Sequence, residues 1–451
     1  MNKIKVQNEI NESIIENYSS KKFSIHYRGV KISSILSVLK YWEVLSPSSL
    51  EEYTNEKFDY FNKDGFKKLL HEKKSNTSVI KEIKHIIYLG LKLLQNKDKR
   101  DIPQIDLLIS IDNIKYLKYI EAIKNELAKK DNYIVIINWD SKTFTEIKDR
   151  KEQIILFSDK VRLNMPIFWK KSYWKFRSIT KLIENVFSII TTYNTNKLFL
   201  IEGDHPRQHI IGHLSKTVEY ETICLQWGYC GTSTYKLPWH NMPYHKFLSW
   251  GEFFSNSFKK FNTNLEIENV GHPSLKFLDK TSFKKNYILF GIPKEMFPFI
   301  SKSDIDLFIN FAIDFSKKQS KYKVRFRVHP NSDFINNYGD IGNIEIHDYF
   351  NNSFIESFDS VKFCVNISST LNLEAIYFGV LPVYLRINNI PLLLHDELST
   401  FFNINIVAEM DGNFLTFLDN LEENQNKIFN KRKELFFATD KEVIERIINA
   451  I

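Results

Sequence analysis

From Ile105 onwards, short apolar runs alternate with amphipathic segments. The run IDLLISI is followed by a helical pattern through IKYLKYIEAIKNELAKK and then by the runs YIVIINW and QIILFS. Apolar runs of this length predict buried strands, and helical segments between such runs predict the crossover connections of a parallel sheet. The chain is therefore expected to be an α/β protein.

The same alternation continues along the chain and divides it into two units. Strands are expected at KLFLIEG, TICLQWG and HKFLSWG, and a second series begins at NYILFGIP and continues through KVRFRVHP, VKFCVNIS and LPVYLRI. A basic connector that ends in SFKK separates the two series. We predict a mainly helical extension over residues 1–100, a Rossmann-like domain over 101–280, and a second one over 281–451 that includes the closing C-terminal helices.

Composition narrows the functional classes. The formal charge of +8 suits a phosphorylated ligand, an anionic glycan, nucleic acid or a membrane surface. Three cysteines are too few for a disulfide framework or a four-thiolate zinc site. The N-terminus lacks the pattern of a secretory signal, and no run approaches the roughly 20 apolar residues that cross a bilayer. We predict a cytoplasmic protein with at most peripheral membrane contact.

Open parallel sheets bind ligands beyond the carboxyl ends of their strands, so residues at those positions are candidates. Arg327, His329 and Pro330 end the strand KVRFRVHP, where an imidazole and a guanidinium can donate hydrogen bonds to a phosphate and the proline stops the strand. A histidine that only caps a loop is the alternative interpretation. Gly291, which follows NYILF, is a further phosphate-loop candidate.

A second junction of the same domain is NISSTLNLEAIYFG, where a predicted strand meets a helix. Ser368, Ser369 and Thr370 are good helix-capping types, and such a turn can hold an anion at the positive end of the helix dipole. Glu374 lies one turn into the helix, where its carboxylate can reach a ribose hydroxyl or simply favour the dipole. These residues are assigned to the binding of a phosphorylated co-substrate, which is called the donor below.

In the first domain, Glu202 and Asp204 flank Gly203 at the end of the strand KLFLIEG. A carboxylate at this position can take the proton from an acceptor hydroxyl. A plain helix N-cap is an equally good interpretation of Asp204. The two roles do not exclude each other.

Two further features accompany this pair of carboxylates. His205, His209 and His213 recur every four residues and share a helix face, but without a nearby acidic cluster we expect them to line the cleft and not to bind a metal. Gln226 and Trp227 end the strand TICLQWG, where an aromatic ring can support a sugar face. His205, Gln226 and Trp227 are assigned to the binding of the acceptor, the molecule whose hydroxyl the carboxylate would deprotonate.

Several classes of enzyme lack their motifs in this chain. It has no glycine-rich dinucleotide fingerprint, no Walker phosphate loop and no Cys/His zinc pattern. The lysine clusters are not set in an RNA- or DNA-binding module. We therefore expect no metal, no organic cofactor and no nucleic-acid partner.

Taken in order, these motifs resemble bacterial GT-B glycosyltransferases that use CMP-activated acidic sugars, namely sialyltransferases and the capsule or lipopolysaccharide Kdo transferases. The resemblance covers roughly residues 195–390. His329 with Pro330, and the Ser-Ser-Thr run at 368–370, match the motifs that hold the donor nucleotide in those enzymes. The acidic-acidic-glycine motif of the general base departs from the pattern, because Gly203 here lies between the two acids.

The resemblance implies a GT-B fold with a cleft between an acceptor domain and a donor domain, and a CMP-linked sugar as co-substrate. It assigns His329 to the donor phosphate and Asp204, in preference to Glu202, to the general base. The acceptor would be a glycan or glycolipid at the inner face of the plasma membrane. The QWG segment also looks like the Gln-His-Gly junction of polyol-phosphate transferases, which leaves CDP-glycerol-type transfer open. A sugar-nucleotide epimerase and a non-catalytic scaffold are the remaining alternatives.

Overall fold

The structure of the protein is a computed structural model. The residues that it describes are 26–44, 84, 87–88, 91, 102–113, 115–157, 172–228, 237–273, 286–295, 300–329, 341–348, 351–352, 354–367, 369–388, 390, 395–436 and 440–451. Two predicted donor residues, Pro330 and Ser368, lie outside this set, as does most of the N-terminal extension. The predicted domain boundaries stay predictions.

The described part of the N-terminal extension begins with two short antiparallel strands, β1 (His26–Tyr27) and β2 (Val30–Lys31), followed by helix α1 (Ile32–Val44). This hairpin is fastened to the first domain. The hydroxyl of Tyr27 and the guanidinium of Arg28 both donate to the carboxylate of Glu184, the former at 2.7 Å. One helix lies in the described part of the extension, and the prediction of a mainly helical extension is not confirmed.

The first large sheet has eight strands in the order β10-β9-β8-β7-β3-β4-β5-β6. Its strands are β3 (Leu107–Ile111), β4 (Ile134–Asn138), β5 (Thr143–Lys148), β6 (Lys151–Leu156), β7 (Lys197–Glu202), β8 (Glu221–Gln226), β9 (Lys246–Ser249) and β10 (Glu266–Asn269). The helices along this part of the chain are α2 (Lys115–Lys129), α3 (Ser172–Ile190), α4 (Pro206–Val218) and α5 (Glu252–Lys259).

Most neighbouring strands of this sheet are parallel, as the alternating pattern predicts, but its edge is not. β4 pairs with β5, and β5 with β6, in antiparallel fashion. Asp149 and Arg150 form the two-residue turn between β5 and β6 with φ values of 51° and 63°, the conformation of a tight hairpin. The segment QIILFS is therefore a strand, and its prediction as part of a parallel βαβ unit is wrong, because two residues leave no room for a crossover helix.

The second sheet has six parallel strands in the order β13-β12-β11-β14-β15-β16. Its strands are β11 (Tyr287–Ile292), β12 (Lys323–Val328), β13 (Glu345–His347), β14 (Val361–Asn366), β15 (Leu381–Arg386) and β16 (Val407–Glu409). The helices of this part are α6 (Lys302–Lys318), α7 (Phe354–Ser357), α8 (Leu371–Tyr377), α9 (His395–Phe402), α10 (Phe414–Glu423), α11 (Gln425–Asn430), α12 (Arg432–Phe436) and α13 (Asp440–Ala450). The chain is thus an α/β protein with two Rossmann-like sheets, as predicted.

The last helix packs against the first sheet. Val443 and Ile447 of α13 are buried against α2 and one face of the first sheet, in a core cluster that contains Leu107 and Ile109. The apolar side of α13 covers sheet residues that would otherwise be exposed. This burial stabilises the packing of the C-terminal helix on the first sheet. The helix closes the first sheet, although the sequence placed it with the second domain.

Candidate active site

The carboxyl end of the first sheet collects polar and aromatic side chains from neighbouring strands. Asp112 follows β3, Glu202 ends β7 and Trp227 follows β8. These three strands are adjacent and parallel, in the order β8-β7-β3. The side chains therefore lie along one edge, where open parallel sheets bind their ligands.

Glu202 is held in an uncommon backbone conformation, with φ of 90°, and the φ of Gly203 is 91°. Gln208 fixes this turn, because its Oε1 accepts from the N–H of Gly203 at 2.7 Å and its Nε2 donates to the carbonyl of Ile201. The hydroxyl of Tyr244 donates to the carbonyl of Gly203 at 2.9 Å. Backbone strain at a residue other than glycine costs roughly 1–3 kcal/mol and recurs at functional sites. The turn directs the Glu202 carboxylate to a defined position.

Tyr116, in the first turn of α2, contacts both Glu202 and Trp227. Its hydroxyl donates to Oε2 of Glu202, and its ring meets the indole of Trp227 edge-on, with centroids 4.9 Å apart. Burial, reinforced by the charge of Glu202, raises the pKa of the Tyr116 phenol far above its ordinary value. The phenol therefore stays protonated and donates its single hydrogen. No local motif in the sequence marks this tyrosine.

The preference for Asp204 as general base stays a prediction, but the two candidate carboxylates have different surroundings. Asp204 is completely buried, whereas Glu202 is partly exposed. The charge of Asp204 acts on buried neighbours that include His209. Asp204 is not the N-cap of α4 either, since His205 occupies that position. Of the two residues, Glu202 is therefore the more accessible in this conformation.

His205 lies beside a buried ion pair. Its Nδ1 accepts from the N–H of Arg207 at 3.3 Å, and Nη1 of Arg207 donates to Oδ1 of Asp112 at 2.5 Å. The Arg207 guanidinium also covers the ring of Trp139, 4.6 Å from its centroid. Burial lowers the pKa of His205 although Asp112 opposes the shift, so the imidazole is neutral at pH 7. The side chain is 33% exposed, so it is accessible as a predicted acceptor contact.

Gln226 has a structural position instead of the predicted contact with the acceptor. It is fully buried, and its Oε1 accepts from Ser249 Oγ at 3.2 Å and from the N–H of Trp250 at 3.0 Å. Its Nε2 donates to the carbonyl of Gly228 at 3.2 Å. These bonds join the carboxyl ends of β8 and β9. The side chain is thus used to hold the sheet edge together.

On the second sheet, His329 and Lys294 follow adjacent strands. β11 and β12 pair in parallel with Ile292 opposite Val328, and the N–H of His329 donates to the carbonyl of Ile292 at 3.1 Å. Burial, together with the positive charge of Lys294, lowers the pKa of His329. A neutral imidazole beside an ammonium group can bind a phosphate through one hydrogen bond and one full charge. Lys294 was not among the residues predicted to bind the donor.

Two predicted donor residues have structural explanations. Nη1 of Arg327 donates to the carbonyl of Asp348 at 3.1 Å and to Ser357 Oγ at 2.9 Å, bonds that hold the guanidinium against the residues after β13 and in α7. A Cβ at Gly291 would collide with Oδ1 of Asn366, so the glycine allows close packing of β11 on β14. It is buried within the sheet and does not form a phosphate loop.

The described part of the Ser-Ser-Thr turn lies between β14 and α8. Ser369 Oγ accepts from the N–H of Leu371 at 3.1 Å, and Thr370 is the N-cap of the helix without a side-chain capping bond. Glu374 follows in the first turn, as predicted. Burial raises the pKa of its carboxyl to about 7, although the charge of Arg327 opposes the shift. The carboxyl is therefore poised to change its charge near neutral pH.

The two units contact each other through helices that follow carboxyl ends of both sheets. The ring of Phe253 on α5 meets that of Phe401 on α9, with centroids 5.2 Å apart. Next to this contact, α5, α9 and α12 surround a pocket of about 520 Å³ whose lining includes Glu252, Lys260 and Glu434. None of the predicted site residues lines this pocket.

Comparisons with known proteins identify solved structures that have a similar fold. No protein-family model and no curated protein matches the chain. Among solved structures, a Listeria monocytogenes protein assigned as a UDP-N-acetylglucosamine 2-epimerase has a TM-score of 0.51 at 10% identity, over 77% of this chain and 95% of that one. The glycotransferase of kitacinnamycin has a TM-score of 0.51 at 8% identity, over 78% of this chain and 99% of that one. The fold is of the GT-B type.

Within the GT-B fold, the described residues add four groups to those expected at the two sheet edges. Asp112, Tyr116 and Arg207 lie at the edge of the first sheet, and Lys294 follows a strand of the second. Asp112 directly follows the strand IDLLISI, so the strand-end rule that identified Glu202 would also have found it. In the described part of the chain, no group of three or more His, Cys, Asp or Glu side chains is arranged to hold a metal ion, and no helix is long and apolar enough to cross a membrane.

Proposed function

We propose that the protein is a glycosyltransferase that moves a sugar from a nucleotide-activated donor to an acceptor hydroxyl. The opposite polarity of the two sheet edges is the observation that carries this proposal. At the first edge the charge of Asp112 is paired with Arg207, and Glu202 and Asp204 leave the edge net negative, while Lys294 and His329 give the second edge an ammonium group and an imidazole. An anionic donor would bind at the second edge, because its phosphate can contact the ammonium group and the imidazole there. An acceptor hydroxyl would be deprotonated at the first edge, because the carboxylates lie there.

On the donor side, Lys294 and His329 would bind the phosphate that bears the sugar. Ser369 and Thr370 lie at the end of the neighbouring strand and would contact the same phosphate or the base. Glu374 would accept a hydrogen bond from a ribose hydroxyl when it is ionised. Stabilisation of the departing phosphate by these groups would supply most of the catalysis.

On the acceptor side, Glu202 would act as the general base. It would take the proton of the acceptor hydroxyl while the oxygen forms a bond to the anomeric carbon of the sugar. The bond from that carbon to the donor phosphate would break, and the phosphate would leave with the electron pair. Trp227 would support the acceptor ring, and the neutral His205 would donate a hydrogen bond from Nε2, because Nδ1 accepts from Arg207.

The finer proposal is a CMP-linked acidic sugar as donor. The order of the His-Pro and Ser-Ser-Thr motifs supports it. CDP-glycerol is the alternative that the QWG segment supports. A glycan or glycolipid acceptor at the inner face of the plasma membrane would fit the charge of +8, since anionic lipid surfaces attract basic proteins.

A second candidate function is epimerisation of a sugar nucleotide. The Listeria monocytogenes structure supports it through the likeness of fold. The cluster of Asp112, Glu202 and Asp204 supports it as well, because an epimerase needs several acid-base groups near one sugar. An epimerase would convert its substrate without an acceptor and without release of free nucleotide.

A ligand panel tests the proposal. Thermal shift and calorimetry are measured with CMP, CDP, UDP and GDP, and with CMP-N-acetylneuraminic acid, CMP-Kdo, CDP-glycerol and UDP-N-acetylglucosamine. Selective stabilisation by CMP compounds is expected, because a ligand that binds the native state raises its stability. His329→Ala should weaken binding about tenfold, as expected for the loss of a charge-assisted hydrogen bond. Preference for UDP would refute the CMP donor, and no response to any nucleotide would favour a non-catalytic scaffold.

A further inference from the structure

Tyr116 contacts both Glu202 and Trp227, the proposed base and the proposed acceptor platform. It comes from α2, whereas the two residues that it contacts end the neighbouring strands β7 and β8. The tyrosine is itself 1% exposed and does not face an acceptor. Any influence on the reaction must therefore pass through the residues that it touches.

The hydroxyl of Tyr116 is surrounded by negative charge. The charges of Glu202, Asp204 and Asp112 all act on it, and Asp112 is in turn paired with Arg207 beside His205. A phenol in such surroundings does not ionise, so it offers one hydrogen, which is donated to Glu202 Oε2. Oε1 of Glu202 does not receive this bond. The contact thus fixes the rotation of the carboxylate and favours its ionised form.

We propose that Tyr116 is a positioning residue for the base Glu202 and for the Trp227 ring. The strained backbone at Glu202 fixes the direction in which the side chain leaves the main chain, and the hydroxyl of Tyr116 fixes the orientation of its carboxylate. The ring contact with Trp227 then sets the distance between base and platform. This inference rests on the proposed function, because it requires Glu202 to act on an acceptor.

The variants Tyr116→Phe and Tyr116→Leu separate the two contacts. Phenylalanine keeps the ring against Trp227 and removes the hydroxyl, so kcat should fall about tenfold with little change in KM. The acidic limb of the pH profile of kcat should move to higher pH, because Glu202 loses a donor that favours its ionised form. Leucine removes the ring as well, so KM for the acceptor should also rise. The assay is release of CMP from CMP-N-acetylneuraminic acid, or release of UDP from UDP-N-acetylglucosamine if the panel selects UDP.

A second measurement requires no substrate. The hydrogen bond to Glu202 is stronger when the carboxylate is ionised than when it is protonated, so the loss of melting temperature in Tyr116→Phe should grow as pH rises from 4 to 7. In a Glu202→Gln background, the same substitution should cause a loss that does not change with pH. A loss in the native background that is equal at all pH values would overturn the proposed contact.

Tyr193→Phe is the matched control. This buried tyrosine also donates to a carboxylate, that of Glu146, but on β5 and away from the site. It should lower stability and leave the pH profile of kcat unchanged. If Glu202→Gln is inactive and Tyr116→Phe has native kcat and a native pH profile, the role of Tyr116 is refuted while the proposed function stands. If Glu202→Gln is fully active, Glu202 is not the base, and the role of Tyr116 is refuted with it while nucleotide release still supports the transfer. If the native protein releases no nucleotide from any donor of the panel, the proposed function itself fails.

Discussion

Glu374 is the residue whose surroundings make the clearest prediction about pH. Its folded pKa of about 7 exceeds the ordinary value of 4.5, so between these values the folded chain holds a proton that the unfolded chain has released. The stability contributed by the protonated carboxyl is therefore complete below pH 4.5 and is lost as pH rises towards 7. Glu374→Gln should stabilise the protein by roughly 1–3 kcal/mol at pH 8 and by nothing at pH 4, as measured by urea unfolding. An equal effect at both pH values would contradict the raised pKa of this carboxyl.

Individual residues were predictable where they lie at the carboxyl end of a parallel strand, since open parallel sheets bind ligands there, and they were less predictable elsewhere. His329, Glu202 and Trp227 directly follow or end apolar runs, and the structure places them at sheet edges. Tyr116 is different, because only the tertiary packing of α2 brings it to Glu202. The burial of Asp204 was equally hidden, since two carboxylates two positions apart look alike in a sequence. Which of the two carboxylates is exposed depends on how the turn packs in the folded protein.

At the scale of elements, the turn from β7 to α4 depends on Gly203. A Cβ at this glycine would lie 3.0 Å from Cys224 Sγ and 3.3 Å from the Phe247 ring, and its φ is 91°. Gly203→Ala should therefore destabilise the protein by about 2–4 kcal/mol, through strain and crowding together. Gly228→Ala is the matched control, because its φ of 71° carries strain but no atom lies within 4 Å of the position that a Cβ would take. It should cost only about 1 kcal/mol, and equal costs measured by chemical unfolding would argue against tight packing at Gly203.

The order of the elements followed from the alternation of apolar runs, but their direction did not. The strands KLFLIEG, TICLQWG and KVRFRVHP form parallel pairs with their neighbours, as predicted. QIILFS forms an antiparallel edge instead, because the turn at 149–150 is two residues long. Turn length decides strand direction, and the apolar run itself carries no such information. The sheet edges that hold the candidate site lie in the parallel part.

At the scale of the whole molecule, the chain does not end in the unit where its sequence order would place it. α13 returns to the first sheet and buries Ile447 completely, near strands that carry Glu202 and Asp112 at their ends. The stability of the first edge therefore depends on residues that lie far away along the sequence. A substitution in α13 should loosen the proposed acceptor side without a direct effect on the donor side.

The pair Ile447→Ala and Ile428→Ala tests this dependence. Both isoleucines are fully buried, but Ile428 belongs to the other core cluster. Each truncation removes the same atoms and should cost about 2–5 kcal/mol. Hydrogen exchange should then differ, with faster exchange in β3 and β7 for Ile447→Ala and native protection there for Ile428→Ala. CMP affinity should stay native in Ile447→Ala, because Lys294 and His329 belong to the second sheet. Loss of CMP binding in that variant would mean that the two edges are energetically coupled, which would make the closing helix part of the donor site as well.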